Sequence, residues 1–194
     1  STAAVDTTHH GDAVDVSFPQ HHYLDKSTWQ GQRYEKFIKG CRDKFGRRAC
    51  DSTEIMRINQ NFGQPKFEHN YTETGFKKMR VPDHVWALIK GFWETNWKNG
   101  AGETLEKWPP GNTYTNNWDS PTYMVSLENK KLRGGDGSVK RKIWNGMRPF
   151  LEEWTGERLT ETSLYGIRVY KDGAMLSSHV DRLPLVSSCI IHVD

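Results

Sequence analysis

The chain has 194 residues, 35% hydrophobic and 26% charged, with 27 Lys and Arg against 24 Asp and Glu and a formal net charge of +3. This length suits one main domain, and eight Trp, seven Tyr and eight Phe supply the buried area that a packed core needs despite the low hydrophobic fraction. Charges of both signs are mixed along the chain without the basic block that neutralises many phosphates, which argues against nucleic acid as a partner, and no run of about 18 apolar residues exists to form a transmembrane segment.

Residues 1–26 show no hydrophobic period and carry paired histidines at positions 9/10 and 21/22. They are expected to form a flexible arm, and the start at Ser1 within a small, polar stretch reads as a processed or trimmed end. From Ser27 the apolar positions Tyr34, Phe37, Ile38, Cys41 and Phe45 fall at helical spacing. A second helix is expected to open at Asp51 or Ser52 as N-cap and to present Ile55, Met56 and Ile58. Cys41 and Cys50 flank a short stretch that can bend back at Gly46, so a disulfide between them is geometrically reasonable; two reduced, buried thiols are the alternative. Together with the sequon Asn70-Tyr71-Thr72 as a glycosylation site, such a bridge points to the lumen of the secretory pathway, ER or Golgi, or another oxidising compartment. Cys189, in an apolar run, is expected to be a packed core thiol.

Pro82 marks a helix start, Asp83 puts an acid in its first turn, and Val85, Trp86, Leu88, Ile89, Phe92 and Trp93 make its apolar face. The Pro/Gly/Asn-rich stretch that follows reads as loop, strand, loop, with the strand over 122–127. Gly134–Gly137 is a turn lacking the surroundings of a phosphate cradle. Helical spacing returns through Val139, Ile143, Trp144, Met147, Phe150, Leu151 and Trp154, with Gly156 as the stop. Alternation over "SLYGIRVYKDG" then predicts a strand ending in a turn at Asp172-Gly173, followed by two more extended pieces, "AMLSSHVDR" and "LVSSCIIHV". Trp108, Trp118 and Trp144 are candidate stacking platforms; Trp108 and Trp118, in loops beside Pro and Asn, are the better surface candidates, while Trp at helical spacing is more often core. Arg168 on the predicted strand is expected to form an ion pair.

The chemistry concentrates in the last thirty residues. His179 and Asp181, two apart, share one face of a strand because side chains alternate with period two. Imidazole and carboxylate suit a mid-row divalent metal, and one further ligand would complete a facial triad with open positions. The plain structural alternative is a histidine at a strand end bonded to a nearby carboxylate. No Ser/His/Asp nucleophile arrangement and no Cys-x-x-Cys zinc spacing is present.

The run "IRVYKDGAMLSSHVDRLPLVSSCIIHV" resembles the start of the core of iron(II)- and 2-oxoglutarate-dependent dioxygenases, in their prolyl 4-hydroxylase-like branch. "NYTETGFKKMRVP", "WPPGNTYTNNWDSPTYMVSL" and "IWNGMRPFLEEWTG" look like the N-terminal region of a subgroup of such proteins in algae and related protists, so the likeness covers roughly residues 30–194. The resemblance implies an α+β fold with an N-terminal helical region packed on the first strands of a double-stranded β-helix (jelly-roll) core that is incomplete in this chain. It implies that His179 and Asp181 are catalytic metal ligands for Fe(II), that Tyr170 binds the 2-oxoglutarate cosubstrate, and that ascorbate can serve as reductant. Two positions depart from the family: Leu176 stands where another tyrosine is common and Arg182 where an aromatic follows the Asp, which leaves the substrate open. The family's distal histidine and its carboxylate-binding basic residue fall downstream of Asp194. His192 is a poor substitute, since it alternates with Ile191 and Val193 and shares no face with Cys189.

The expected organisation is therefore an arm over 1–26, a helical and loop region over 27–160 and the first β-core strands over 161–194. The expected activity is hydroxylation of a prolyl or similar side chain in a peptide or protein substrate by the full-length protein. The 194 residues alone are expected to be inactive and poorly stable, because an open β-edge needs further chain or a larger protein complex to cover it. The alternative is a catalytically inactive oxygenase-like subunit serving assembly.

Overall fold

The computed structural model describes residues 25–73, 75–97 and 101–193. Nearly all of the expected arm lies outside them, as does Asp194. Over the described residues the fold is α+β, with four helices and one small antiparallel sheet: α1 Trp29–Phe45, α2 Arg47–Gly63, α3 Asp83–Asn96, β1 Thr104–Leu105, β2 Tyr123–Ser126, α4 Ser138–Thr155 and β3 Gly166–Val169.

α1 begins where Thr28, in extended backbone, accepts a hydrogen bond from the Gly31 amide on its side-chain oxygen, satisfying one of the free donors of the first turn. Gly46 alone separates α1 from α2, so α2 starts at Arg47 and not at Asp51 or Ser52. The early start puts Cys50 inside α2, where it joins Cys41 in a disulfide with Cα atoms 6.0 Å apart. Phe37, Ile38, Cys41 and Cys50 form one core cluster, closed by Tyr34, Phe45, Trp118 and Met175. Trp118 is thus a packing residue and not a surface platform: its ring lies 5.0 Å from that of Phe37 and 6.2 Å from that of Phe45. The bridge fits an oxidising compartment, and no helix among the described residues is long and apolar enough to cross a membrane.

The second cluster joins α3, α4 and β2 through Val85, Ile89, Phe92, Val125, Leu127, Ile143 and Met147. α3 carries Asp83 in its first turn, as expected, with Pro82 at the N-cap. α4 stops at Gly156, whose φ of 73° is a left-handed conformation that glycine adopts without penalty. The expected strand over 122–127 is β2; β1, read from the sequence as loop, pairs with it through Thr104 and Leu105. β3 pairs with β2 on the other side, Tyr123 opposite Val169 and Ser126 opposite Gly166, giving the order β1-β2-β3. The strands do not simply follow the helices, because β1 and β2 precede α4. Beyond β3 the described residues form no helix and join no ladder, apart from one bridge between Thr115 and Leu176.

Candidate functional site

The segment carrying His179 and Asp181 is held by side chains and one isolated backbone bridge, not by a sheet. Asn116 donates to the Gly173 carbonyl at 2.8 Å and accepts from the Met175 amide at 2.7 Å, and the Ser177 amide donates to the Tyr114 carbonyl at 2.8 Å. Past Ser177 the partner changes to α2. Asn61 donates to the Ser178 carbonyl at 2.9 Å and accepts from the Val180 amide at 3.0 Å, so one side-chain amide satisfies the backbone on both sides of His179 as a neighbouring strand would. Arg57 also donates to the Ser178 carbonyl, and Gln64, in the 3₁₀ turn Gln64–Lys66, donates to the Asp181 carbonyl.

This grip explains which face α2 buries. Ile55 and Met56, expected on its apolar face, are exposed, whereas Glu54 and Arg57 are buried. Arg57 is paired with Glu54 through two contacts, 2.6 and 3.1 Å, and Tyr34 donates to the same carboxylate at 2.7 Å. Burial, reinforced by Glu54, pushes the Tyr34 hydroxyl far above the ordinary tyrosine range, so it remains a donor.

Within this frame His179 Nδ1 lies 2.7 Å from the Ser177 carbonyl oxygen. A carbonyl can only accept, so the ring carries a proton on Nδ1, which makes Nε2 the nitrogen that a ligand would meet. Nε2 lies 3.9 Å from Asp181 Oδ1, and the two side chains are 25% and 42% exposed, open to a small ligand. Tyr114 meets the imidazole edge-on with ring centres 5.4 Å apart, and its own hydroxyl donates to Gln60 Oε1 at 2.8 Å. The side-by-side placement expected of a strand is therefore present without strand pairing. Among the described residues no group of three or more His, Cys, Asp or Glu gathers as a metal site. His192 is exposed while Ile191 and Val193 pack against the α3–α4 core. Cys189 is exposed and unbridged, not a core thiol: without a ladder, the residues before Ile191 do not follow the alternation that would turn it inward.

Tyr170, just past β3, is 45% exposed and lies near Arg168, whose charge it favours. Arg168 forms the expected ion pair, two contacts of 2.8 and 3.1 Å to Glu106, and lies over the half-buried ring of Trp108 at 5.6 Å. Burial acts to lower the Arg168 pKa, but Glu106 and Tyr170 together raise it, so it is a permanent cation. Trp144, on α4, is half-buried with Lys140 over its ring at 4.6 Å. Between α1 and residues 174–178 lies a cavity of about 420 Å³ with Trp29, Arg33, Tyr34, Phe37, Met175 and Leu176 on its walls, reaching to Ser178 beside His179. Asn70 is exposed, in a stretch without helix or strand.

Sequence reasoning missed Arg57, Asn61, Gln64, Tyr114 and Asn116. The first three had a signal: with Glu54 they recur at helical spacing as a polar stripe, opposite in character to the apolar residues between them. Tyr114 and Asn116 had none, because only the tertiary fold brings their loop to residues 173–177. Comparison of the chain with protein-family models, with curated proteins and with solved structures finds no match.

Proposed function

We propose that His179 and Asp181 are two of the metal ligands of an iron(II)- and 2-oxoglutarate-dependent oxygenase of the prolyl 4-hydroxylase-like type. The observation that carries this reading is the pair itself, Nε2 and a carboxylate oxygen 3.9 Å apart, with the other ring nitrogen tied to a carbonyl. Two ligands each ~2.1 Å from one metal can span up to ~4.2 Å, and metal-binding histidines characteristically donate their second ring N–H to a fixed acceptor. On this reading β1–β3 begin a double-stranded β-helix core, and Tyr170 is the cosubstrate-binding side chain.

Bound iron with 2-oxoglutarate and oxygen would supply the oxidising power for C–H hydroxylation, with release of succinate and carbon dioxide and with ascorbate as auxiliary reductant. The residues of the chain do the positioning. The Ser177 carbonyl occupies Nδ1, Asn61 fixes the backbone on both sides of His179, and Gln64 holds the carbonyl of Asp181. The aromatic and apolar cavity beside Ser178 supports a peptide or protein substrate presenting a prolyl or similar side chain.

Titration of the full-length protein with Mn(II), a redox-inert stand-in for Fe(II), tests the reading together with succinate release from 2-oxoglutarate under Fe(II). His179→Ala and Asp181→Ala should each weaken Mn(II) binding by more than ~10-fold, the loss that even an outer partner of a ligand costs. Equal binding by wild type and both variants would sink the proposal. A second reading, an inactive oxygenase-like assembly subunit, is favoured by one observation: α2 and the turn after it leave Ile55, Met56, Phe62 and Phe67 exposed, Phe67 at 84%. Absence of metal binding and succinate release from the full-length protein, with recovery in a larger complex, would select it.

A further inference from the structure

Asn70 lines a second recess, of about 230 Å³, well apart in sequence from the proposed metal ligands. Its walls include Tyr71 and Thr72 beside Asn70, Trp154 and Thr155 at the end of α4, and Ser187. Three stretches distant in sequence therefore meet around one asparagine. Tyr71 is held edge-on against His69 with ring centres 5.1 Å apart, while Trp154 offers an indole as apolar wall. A recess with an aromatic wall, polar side chains and a sequon asparagine at its rim matches a sugar ring, which has an apolar C–H face and a polar edge.

We infer that Asn70 carries an N-linked glycan whose innermost N-acetylhexosamine seats in this recess, with its apolar face toward Trp154. Asn70 is exposed on a segment without helix or strand, with the threonine required two residues on, and the Cys41–Cys50 bridge fits the compartment in which such transfer occurs. In that transfer Asn70 Nδ2 bonds to the anomeric carbon of a lipid-pyrophosphate-linked oligosaccharide. The bond from that carbon to the pyrophosphate breaks, the lipid pyrophosphate leaves with the electron pair, and the amide proton is lost to a base. The seated sugar then ties residues 69–72 to α4 and to residues 186–188.

The test is the full-length protein secreted from a eukaryotic host, as wild type and as Asn70→Gln. N-glycosidase treatment should lower the intact mass of wild type by one core glycan and leave Asn70→Gln unchanged; an unchanged wild-type mass overturns the inference. An endoglycosidase that leaves a single sugar on the folded protein should preserve its melting temperature. Complete removal, which leaves a carboxylate at position 70, should lower it by about 2–4 °C, as should Asn70→Gln. Trp154→Ala should close most of that gap. Equal melting temperatures and equal protease resistance of residues 69–72 with and without the single sugar would put the glycan in solvent and overturn its seating.

Discussion

Replacing Asn61 by Ala removes both hydrogen bonds that flank His179, the 2.9 Å bond to the Ser178 carbonyl and the 3.0 Å bond from the Val180 amide. The two losses are unequal, because Arg57 still donates to the Ser178 carbonyl whereas the Val180 amide has no such second partner from α2. Each bond contributes about 1 kcal/mol net, so the pair should cost ~2 kcal/mol. At 1.4 kcal/mol per factor of ten, ~2 kcal/mol of lost local stability should accelerate exchange of the Val180 amide by about 30-fold. If the loss is shared with global unfolding, the melting temperature should fall by about 4–8 °C. Hydrogen exchange by mass spectrometry over a peptide spanning 175–185, beside a thermal melt, measures both. Asn61→Asp is the informative control: it keeps an acceptor for Val180 and loses the donor to Ser178, so Val180 should stay protected. Arg57→Ala is a poorer probe, since it strands the buried Glu54 carboxylate and would weaken the whole hairpin. Unchanged Val180 exchange in Asn61→Ala, with a melting temperature within about 1 °C of wild type, would refute the idea that α2 holds this segment.

Replacing Cys41 and Cys50 by Ala opens a bridge with a sequence separation of 9. Loop-closure entropy for so short a loop is about 2.5 kcal/mol, so the melting temperature should drop by ~5–10 °C, with a null shift refuting the estimate. Gly146→Ala should destabilise although it improves helix propensity, because the new Cβ would stand 2.4 Å from the fully buried Val85 side chain across the α3–α4 contact. Gly91→Ala, with nothing near its Cβ, should stabilise by about 0.5–1 kcal/mol, and urea titrations giving both variants the same sign would contradict this packing. Glu103 is held below the ordinary glutamate range first by its hydrogen bond to Lys171, against the opposing effect of burial, with Trp97 adding a further bond. Its stabilising effect is then complete above the unfolded value of about 4.3 and disappears as pH falls through the lower folded value. Wild type should accordingly exceed Glu103→Gln in stability above pH ~5 and lose that margin in acid; a margin independent of pH would be inconsistent with the ion pair.

The helices were legible because their cores are made of side chains at helical spacing. Val85, Ile89 and Phe92 on α3 and Ile143 and Met147 on α4 are all buried, as their period requires. β2 was legible from its β-branched and aromatic run, and the stop at Gly156 from the need for a left-handed residue after α4. β1 was not, because a two-residue strand has no period to read and exists only through its pairing with Met124 and Tyr123. Trp118 misled for a related reason: its neighbours describe a loop, but the loop is folded onto α1, where Phe37 and Phe45 enclose the ring. Local sequence reports the backbone state, whereas burial in a loop is decided by what the loop crosses.

The candidate site shows the same limit from the opposite direction. His179 and Asp181 were found from their spacing, and they do lie side by side, but the reason assumed for it, alternation within a paired strand, does not operate here. Their segment pairs with no strand, and its backbone polar groups are met by Asn116, Tyr114, Asn61, Arg57 and Gln64. A helix that supplies such partners must turn its polar stripe inward, which is why α2 exposes Ile55 and Met56 and buries Glu54 and Arg57. The inversion is stable only because the buried charges neutralise each other, Tyr34 completes the carboxylate, and Cys50 pins the start of α2 to α1. The geometry of the His179–Asp181 pair thus depends on the α1–α2 hairpin as much as on the residues around it. A perturbation of that hairpin should reach the pair through Asn61 before it reaches the α3–α4 core, with which the hairpin shares no buried residue.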